Sequence, residues 1–299
     1  MFDTFSRIRR LFSAAFKGVT RIEQNLASLR EAVGRIEARQ CSATPQDQPA
    51  AQEFQVYSQW GEDGIIEWLL RNVHVDRQVF VEFGVQNYEE SNTRFLLVNR
   101  NWSGLILDGS EKNIAYVRRD PIYWRHNLKA VRAFITRENI NDLLRDAGLS
   151  GEIGLLSVDI DGVDYWVWEA ITAVSPAIVI AEYNSLFGPE RAVTVPYDAT
   201  FQRTTAHHSN LYYGASLAAL IGLGKRKGYA FVASNRAGNN AFFVRRDLLP
   251  AGIRELTARE GFVLRQFREG RNEAGELQFH SPDEEARIAQ SQPLVEVEP

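Results

Sequence analysis

Thiols are nearly missing from this chain: Cys41 is the single cysteine among 299 residues. That excludes an intramolecular disulfide and a thiolate metal cluster, and it fits a reducing compartment. Long apolar runs are missing too. None reaches the ~18–20 residues needed to cross a bilayer, and the N-terminus lacks the continuous apolar core of a signal peptide, so the sequence reads as cytoplasmic. There is no basic excess either: 34 Lys and Arg stand against 38 Asp and Glu, a formal net charge of −4. A nucleic-acid partner is thereby set aside, since a groove or backbone binder shows clustered basic residues. What is present is 44% hydrophobic and 11% aromatic residues, ample for a sizeable core and against disorder along the whole chain.

Three regions separate by pattern. Over residues 1–40, Phe5, Ile8, Phe12, Ala15, Val19, Ile22, Leu26, Leu29, Val33 and Ile36 follow alternating steps of three and four, the spacing that keeps one apolar seam facing a partner helix. The expectation is a coiled coil through which the chain self-associates, with two, three or four strands all open. Arg7, Arg9, Arg10 and Lys17 lie beside Phe2, Phe5, Phe12 and Phe16. They add a second expectation, peripheral contact of residues 1–18 with the inner face of an anionic membrane; the plainer reading is the solvated face of the coiled coil. Residues 41–53, CSATPQDQPAAQE, are polar and aperiodic and read as a linker.

From 54 to 250, strand-like runs alternate with helical ones. VFVEF (79–83), GLILD (104–108), an ill-defined segment near 128–134, IGLLSVD (153–159) and AIVIAEY (177–183) are short and rich in Val, Ile and Leu, as in parallel strands covered on both faces. Helical patterns lie between them, at 63–73, 91–99, 138–147 and 164–171. YAFVAS (229–234) and NAFFVRR (240–246) flank the turn sequence NRAGN and predict an antiparallel hairpin. The predicted fold is α/β: a doubly wound Rossmann-like sheet closed by that hairpin and preceded by the N-terminal coiled-coil helix. Residues 251–299 form a charged extension whose end is expected to be disordered.

In open parallel sheets ligands bind beyond the carboxyl ends of the strands, and here those ends are unusually polar. The first ends VFVEFGVQNYEESNT, which puts Glu82 and Gly84 at a turn into a helix. This is not G-x-G-x-x-G, so a nicotinamide dinucleotide is disfavoured. The second ends GLILDGSEKNI. Asp108 is there placed to accept both hydroxyls of a ribose, with Gly109 and Ser110 in the same turn; the competing reading is a cap for the helix that follows. Before the first strand, YSQWGEDGII (57–66) gathers Ser58, Gln59, Gly61, Glu62 and Asp63 ahead of an apolar helix. Capping explains the acids but not Gln59 or Gly61.

SQWGEDGII, VFVEFG, ESNTRFLL and WSGLILDGS, in that order, resemble FkbM-type and related methyltransferases of the class I, S-adenosylmethionine-dependent fold, over roughly residues 56–246. The resemblance implies S-adenosylmethionine as cofactor, with Gln59, Glu82, Gly84 and Asp108 lining its pocket. Family members commonly carry a second small residue in the first turn, where this chain has Asn87 and Tyr88, so the methionine end is held differently.

The fourth strand ends in Asp159 and Asp161 and the fifth in Glu182 and Asn184. Neighbouring strands lie ~4.8 Å apart, which brings Asp159, Asp161 and Glu182 within reach of one another. Three such carboxylates need protons, an Arg or Lys, or a hard cation such as Mg²⁺. The arrangement is similar to the metal-dependent sugar O-methyltransferases of the macrocin type, in which acids after these two strands hold Mg²⁺ against neighbouring sugar hydroxyls; the bland alternative is a turn at Asp161-Gly162 with Asp164 capping the next helix. Methyl transfer to a hydroxyl needs a base, and His207 and His208, in the loop after the fifth strand, are the candidates, against plain solvent exposure. Tyr212, Tyr213, Trp166 and Trp168 are candidates for a sugar platform, although Trp at i and i+2 of a helix cannot share a face. The sequence thus predicts an O-methyltransferase acting on a hydroxyl, of a sugar in a surface polysaccharide or of a secondary metabolite. Two rivals remain: a D-x-D metal-dependent glycosyltransferase, and a coiled-coil scaffold with a vestigial pocket.

Overall fold

A computed structural model describes residues 2–41 and 49–299, with side chains from Ser13 onward except Ala14. Much of the expected linker, and the basic and aromatic side chains at the very start, lie outside the described residues.

Seven strands form the main sheet: β1 (Val79–Phe83), β2 (Ser103–Asp108), β3 (Leu128–Arg132), β4 (Gly151–Val158), β5 (Val174–Glu182), and after the short β6 (Val193–Thr194), β7 (Tyr229–Ser234) and β8 (Asn240–Arg245). Their order is β3-β2-β1-β4-β5-β8-β7. β1 to β5 run parallel, while β8 is antiparallel to both β5 and β7. Alternation divides the core. Val81, Phe83, Leu105 and Leu107 enter the apolar layer on one face, and Phe80 and Ile106 the layer on the other. Both faces are thus covered, which is why these strands read as unbroken apolar runs.

The covering helices are α2 (Glu62–Asn72), α3 (Arg94–Arg100), α4 (Glu111–Val117), α5 (Pro121–Arg125), α6 (Ile140–Asp146), α7 (Asp164–Ala170), the single turn α8 (Arg203–Ala206) and α9 (Leu217–Arg226). Trp168 is core, packed on Tyr229 and Phe243. Trp166 donates its indole N–H to Val195 O at 2.8 Å.

α1 (Phe2–Gln40) docks by its C-terminal end. A Cβ on Gly34 would stand 2.3 Å from Val56, Ala38 and Cys41 join the cluster of Phe54, Val56, Tyr57 and Phe95, and the Tyr57 hydroxyl donates to Glu31 at 2.7 Å. The docked positions lie opposite the heptad seam. Val19, Ile22, Leu26, Leu29, Val33 and Ile36 are all more than half exposed.

The extension departs from the sequence reading of a disordered end. It carries α10 (Ala258–Gly261), α11 (Pro282–Gln290) and β9 (Val295–Glu296), with capping boxes at Thr257 and Ser281 and pairing of β9 with β6. Some of its apolar residues anchor it to the domain, while Phe279 and Leu277 stay exposed. Ala289 is fully buried beside Leu186, Phe187 and Val193, and Arg265 and Glu285, 3% and 7% exposed, pair at 2.7 Å.

Candidate active site

The sheet order turns back between β1 and β4, the switch point at which strand ends diverge and leave a crevice. A cavity of about 310 Å³ opens there, its wall including Gly84, Gln86, Asp108, Phe134, Asp159 and Arg203. Asp108 is 8% exposed. One carboxylate oxygen accepts from Gln86 N at 2.8 Å, and the other from Ser110 N at 2.8 Å and Asn113 Nδ2 at 3.1 Å. With about four lone-pair sites on a carboxylate, one on Oδ2 stays free. The cap of α4 is Ser110, whose hydroxyl accepts from Asn113 N, so Asp108 is not spent on capping. Gly109 lines the cavity, and Phe134, half exposed, puts an apolar ring in the same wall.

A smaller recess of about 100 Å³ adjoins it, lined by Gln59, Glu82, Gly84, Asn92, Asp159 and Asn240 among others. Glu82 is turned toward the start of α3: it accepts from Asn92 N at 2.8 Å, Thr93 N at 3.1 Å and the Thr93 hydroxyl. Burial pushes its pKa up to about 7 against those donors. Gly84, φ +68, is required by its neighbour strand: a Cβ there would sit 1.8 Å from Asp159 O. The loop carrying Gln59 is shaped by Asp63, one oxygen of which accepts from Val56 N, Tyr57 N and Ser58 N. Glu62 holds Asn235 and Asn240 across to it, at 2.7 and 2.8 Å.

Asp159, which lines both spaces, comes together with Asp161, which lines the larger, and with Glu182, which lines neither; one oxygen of each lies within 4.8 Å of the others. Burial pushes Asp159 and Glu182 well above the usual carboxylate range; next in weight come Asp161 for Asp159 and Asp159 for Glu182. Glu182 is 7% exposed, and its Oε2 has no hydrogen-bond partner. Asp161 sits at φ 55, a conformation non-glycine residues rarely adopt. Asp164 is structural: its carboxylate folds back to accept from Ile160 N at 2.7 Å and Gly162 N at 2.9 Å, holding the turn that aims Asp161. The orphaned Glu182 oxygen beside two further carboxylates fits a hard cation, which takes carboxylate oxygens and completes its shell with water.

The histidines are placed otherwise. Neither His207 nor His208 lines the cavity or the recess; their rings lie 4.3 Å apart, and His207 Nδ1 is 2.7 Å from the Ser209 hydroxyl. The residue their loop delivers to the acids is Arg203, whose Nη1 donates to Asp161 at 2.7 Å. Its other contacts are Glu269, the carbonyl of Asn210 and the face of Tyr213. Tyr213 is therefore buried beneath Arg203, and Tyr212 donates to Pro293 O at 2.6 Å. Sequence reasoning missed Phe134, Arg203, Asn240 and Glu269. Phe134 lies two residues past the end of β3 and was in principle findable, whereas Glu269 lies 66 residues from its partner and carries no local signal.

No family model matches the chain, and no curated protein is significantly similar to it. Among solved structures, the N-terminal domain of EvdMO1 with SAH bound is similar at TM-score 0.36 and 13% identity, over 56% of this chain and 72% of that one. A S-adenosylmethionine-dependent methyltransferase from Clostridium acetobutylicum gives 0.32 and 12%, over 46% and 56%. An O-methyltransferase family protein from Burkholderia thailandensis gives 0.38 and 11%, over 62% and 59%. The chain spans little more than half the length of the last two. Overlap of this extent is partial, and the reading of the site stands on its own geometry.

Proposed function

We propose that this chain is a S-adenosylmethionine-dependent O-methyltransferase whose acceptor, a sugar hydroxyl, is held by a divalent cation. One observation carries the reading: a cleft with a buried carboxylate and an exposed aromatic ring shares a wall, Asp159, with a three-carboxylate cluster. In this reading Asp108 offers its free Oδ2 lone pair to the ribose, and a full grip on both hydroxyls follows when Asn113 swings off Oδ1. Phe134 lies against the adenine, an apolar face beside a polar anchor as in small-molecule sites generally. Gln59 and Asn92 line the recess toward the methionine end.

S-adenosylmethionine supplies an electrophilic methyl group, and a divalent ion lowers the pKa of a hydroxyl bound to it. Asp159, Asp161 and Glu182 would hold that ion, and their placement next to the cleft orients a hydroxyl toward it. Neighbouring hydroxyls of a sugar ring suit an ion that prefers oxygen ligands. Self-association through α1 is part of the same proposal, supported by the heptad seam facing away from the domain.

Calorimetry with S-adenosylhomocysteine tests the cofactor. Micromolar binding is expected, weakened about tenfold or more by Asp108→Ala, since a hydrogen bond to a charged group contributes about 1.5–3 kcal/mol. Unchanged affinity removes Asp108 from the pocket. Methyl transfer should stop with EDTA and return with Mg²⁺, and a rate indifferent to chelation rejects the cation alone.

A further inference from the structure

A cluster of three acids needs positive charge near it, and the chain contains such a charge. Arg203 is 12% exposed, donates to Asp161 at 2.7 Å, and is fixed on three other sides by Glu269, Asn210 O at 2.7 Å and the Tyr213 ring, 3.7 Å from the guanidinium carbon. Glu182 is close enough to influence Arg203, and Asp159 and Glu182 both feel its charge. A divalent ion entering the same space meets a full positive charge already hydrogen-bonded to one of its three acids. We propose that Arg203 is the resident counter-charge of the cluster, held there by Glu269 of the C-terminal extension, and that it sets the cluster's cation affinity by opposing the ion.

Two further features favour this over a purely structural Arg203. Glu182 Oε2 is buried and without a partner although Arg203 is nearby, so the arginine neutralises the cluster without satisfying it and leaves an acceptor for an ion. Arg203 also bridges Asp161 and Glu269 by different nitrogens, so it can release Asp161 while staying anchored to Glu269. The release would be felt in the cofactor cleft, because Phe201, Gln202 and Thr204 of the same segment line it.

The inference rests on the cation reading, and Mn²⁺ as a paramagnetic probe separates the two. Free Mn²⁺ is counted by electron paramagnetic resonance on the full chain at neutral pH, with circular dichroism confirming the fold. Arg203→Gln should bind Mn²⁺ about tenfold or more tightly than wild type, because a neighbouring unit charge near a partly buried site is worth at least that factor. Glu269→Gln, which removes the anchor that keeps the opposing charge in place, should also bind it more tightly, and in the Arg203→Gln background the same change should have little effect, as a double-mutant cycle reads out. Equal or weaker binding by Arg203→Gln overturns the proposal, as does a Glu269 effect that persists without Arg203. Should Arg203→Gln not fold, Glu269→Gln alone decides: affinity at or below wild type rejects the tether. If wild type binds S-adenosylhomocysteine but neither it nor any variant binds Mn²⁺, the cation reading fails and this inference with it.

Discussion

At the scale of single residues, this protein buries carboxylates on β1 and at the starts of α2 and α7. Glu82 is raised to about 7, and Asp63 and Asp164 to about 6, in each case by burial first. The backbone N–H groups these acids accept from offset the loss of water but do not cancel it. In the unfolded chain they titrate at ordinary carboxylate values. Between those values and the raised ones the folded chain holds more protons than the unfolded chain, so stability falls as pH rises through the window. The melting temperature should therefore drop from about pH 5 to about pH 7.5. A melting temperature that climbs across that range would mean these acids are ionised in the folded state. The sequence announced that acids gathered here, because DID and VEF stand at the ends of apolar runs. It could not announce which acids hold loops and which face the cavity. Asp164 and Asp161 are three residues apart and do opposite things, because one is turned inward by Ile160 and Gly162 N–H groups.

At the scale of elements, strand ends matter more than strands. β1 and β4 meet so closely beyond their pairing that only a glycine fits at position 84, both for its φ of +68 and for the carbonyl of Asp159 1.8 Å from a notional Cβ. Gly84→Ala should cost more than about 2 kcal/mol of stability in urea unfolding, since it combines a disfavoured backbone region with a backbone clash. A loss below about 0.5 kcal/mol would show that the loop relaxes freely. Element positions were legible because both cues were strong. β1 and β7 fall at 79–83 and 229–234 as the apolar runs predict, and the Gly/Asn-rich turn marks the hairpin. α5, the turn α8 and the β6–β9 pairing are too short to carry a period, and the last joins segments about 100 residues apart.

At the scale of the whole molecule, two segments flank the sheet and its helices, α1 and the C-terminal extension. α1 projects an apolar seam, and each of its a and d residues from Val19 to Ile36 is more than half exposed. Burying such a seam against a second copy is the ordinary fate of heptads. On the proposed self-association, wild type should sediment as an oligomer and Leu26→Glu with Leu29→Glu as a monomer, while the domain's melting stays unchanged. Monomeric wild-type chain at micromolar concentration would reject self-association. No helix among the described residues is long and apolar enough to cross a membrane. The extension works inward: anchored by Arg265 and Glu285, it brings Glu269 to Arg203 and so reaches the acid cluster from 66 residues away along the chain.

The sequence by itself determined the alternating α/β order, the hairpin, the heptad phase and the presence of acids after β1, β2, β4 and β5, because period and turn chemistry are local properties of the chain. Only the tertiary structure decided that Asp108 leaves a lone pair free, that Glu82 faces a helix start, that Arg203 and not a histidine meets the acids, and that the charged tail is packed. Those outcomes depend on which distant groups satisfy each buried donor and acceptor, and that is settled when the chain closes on itself.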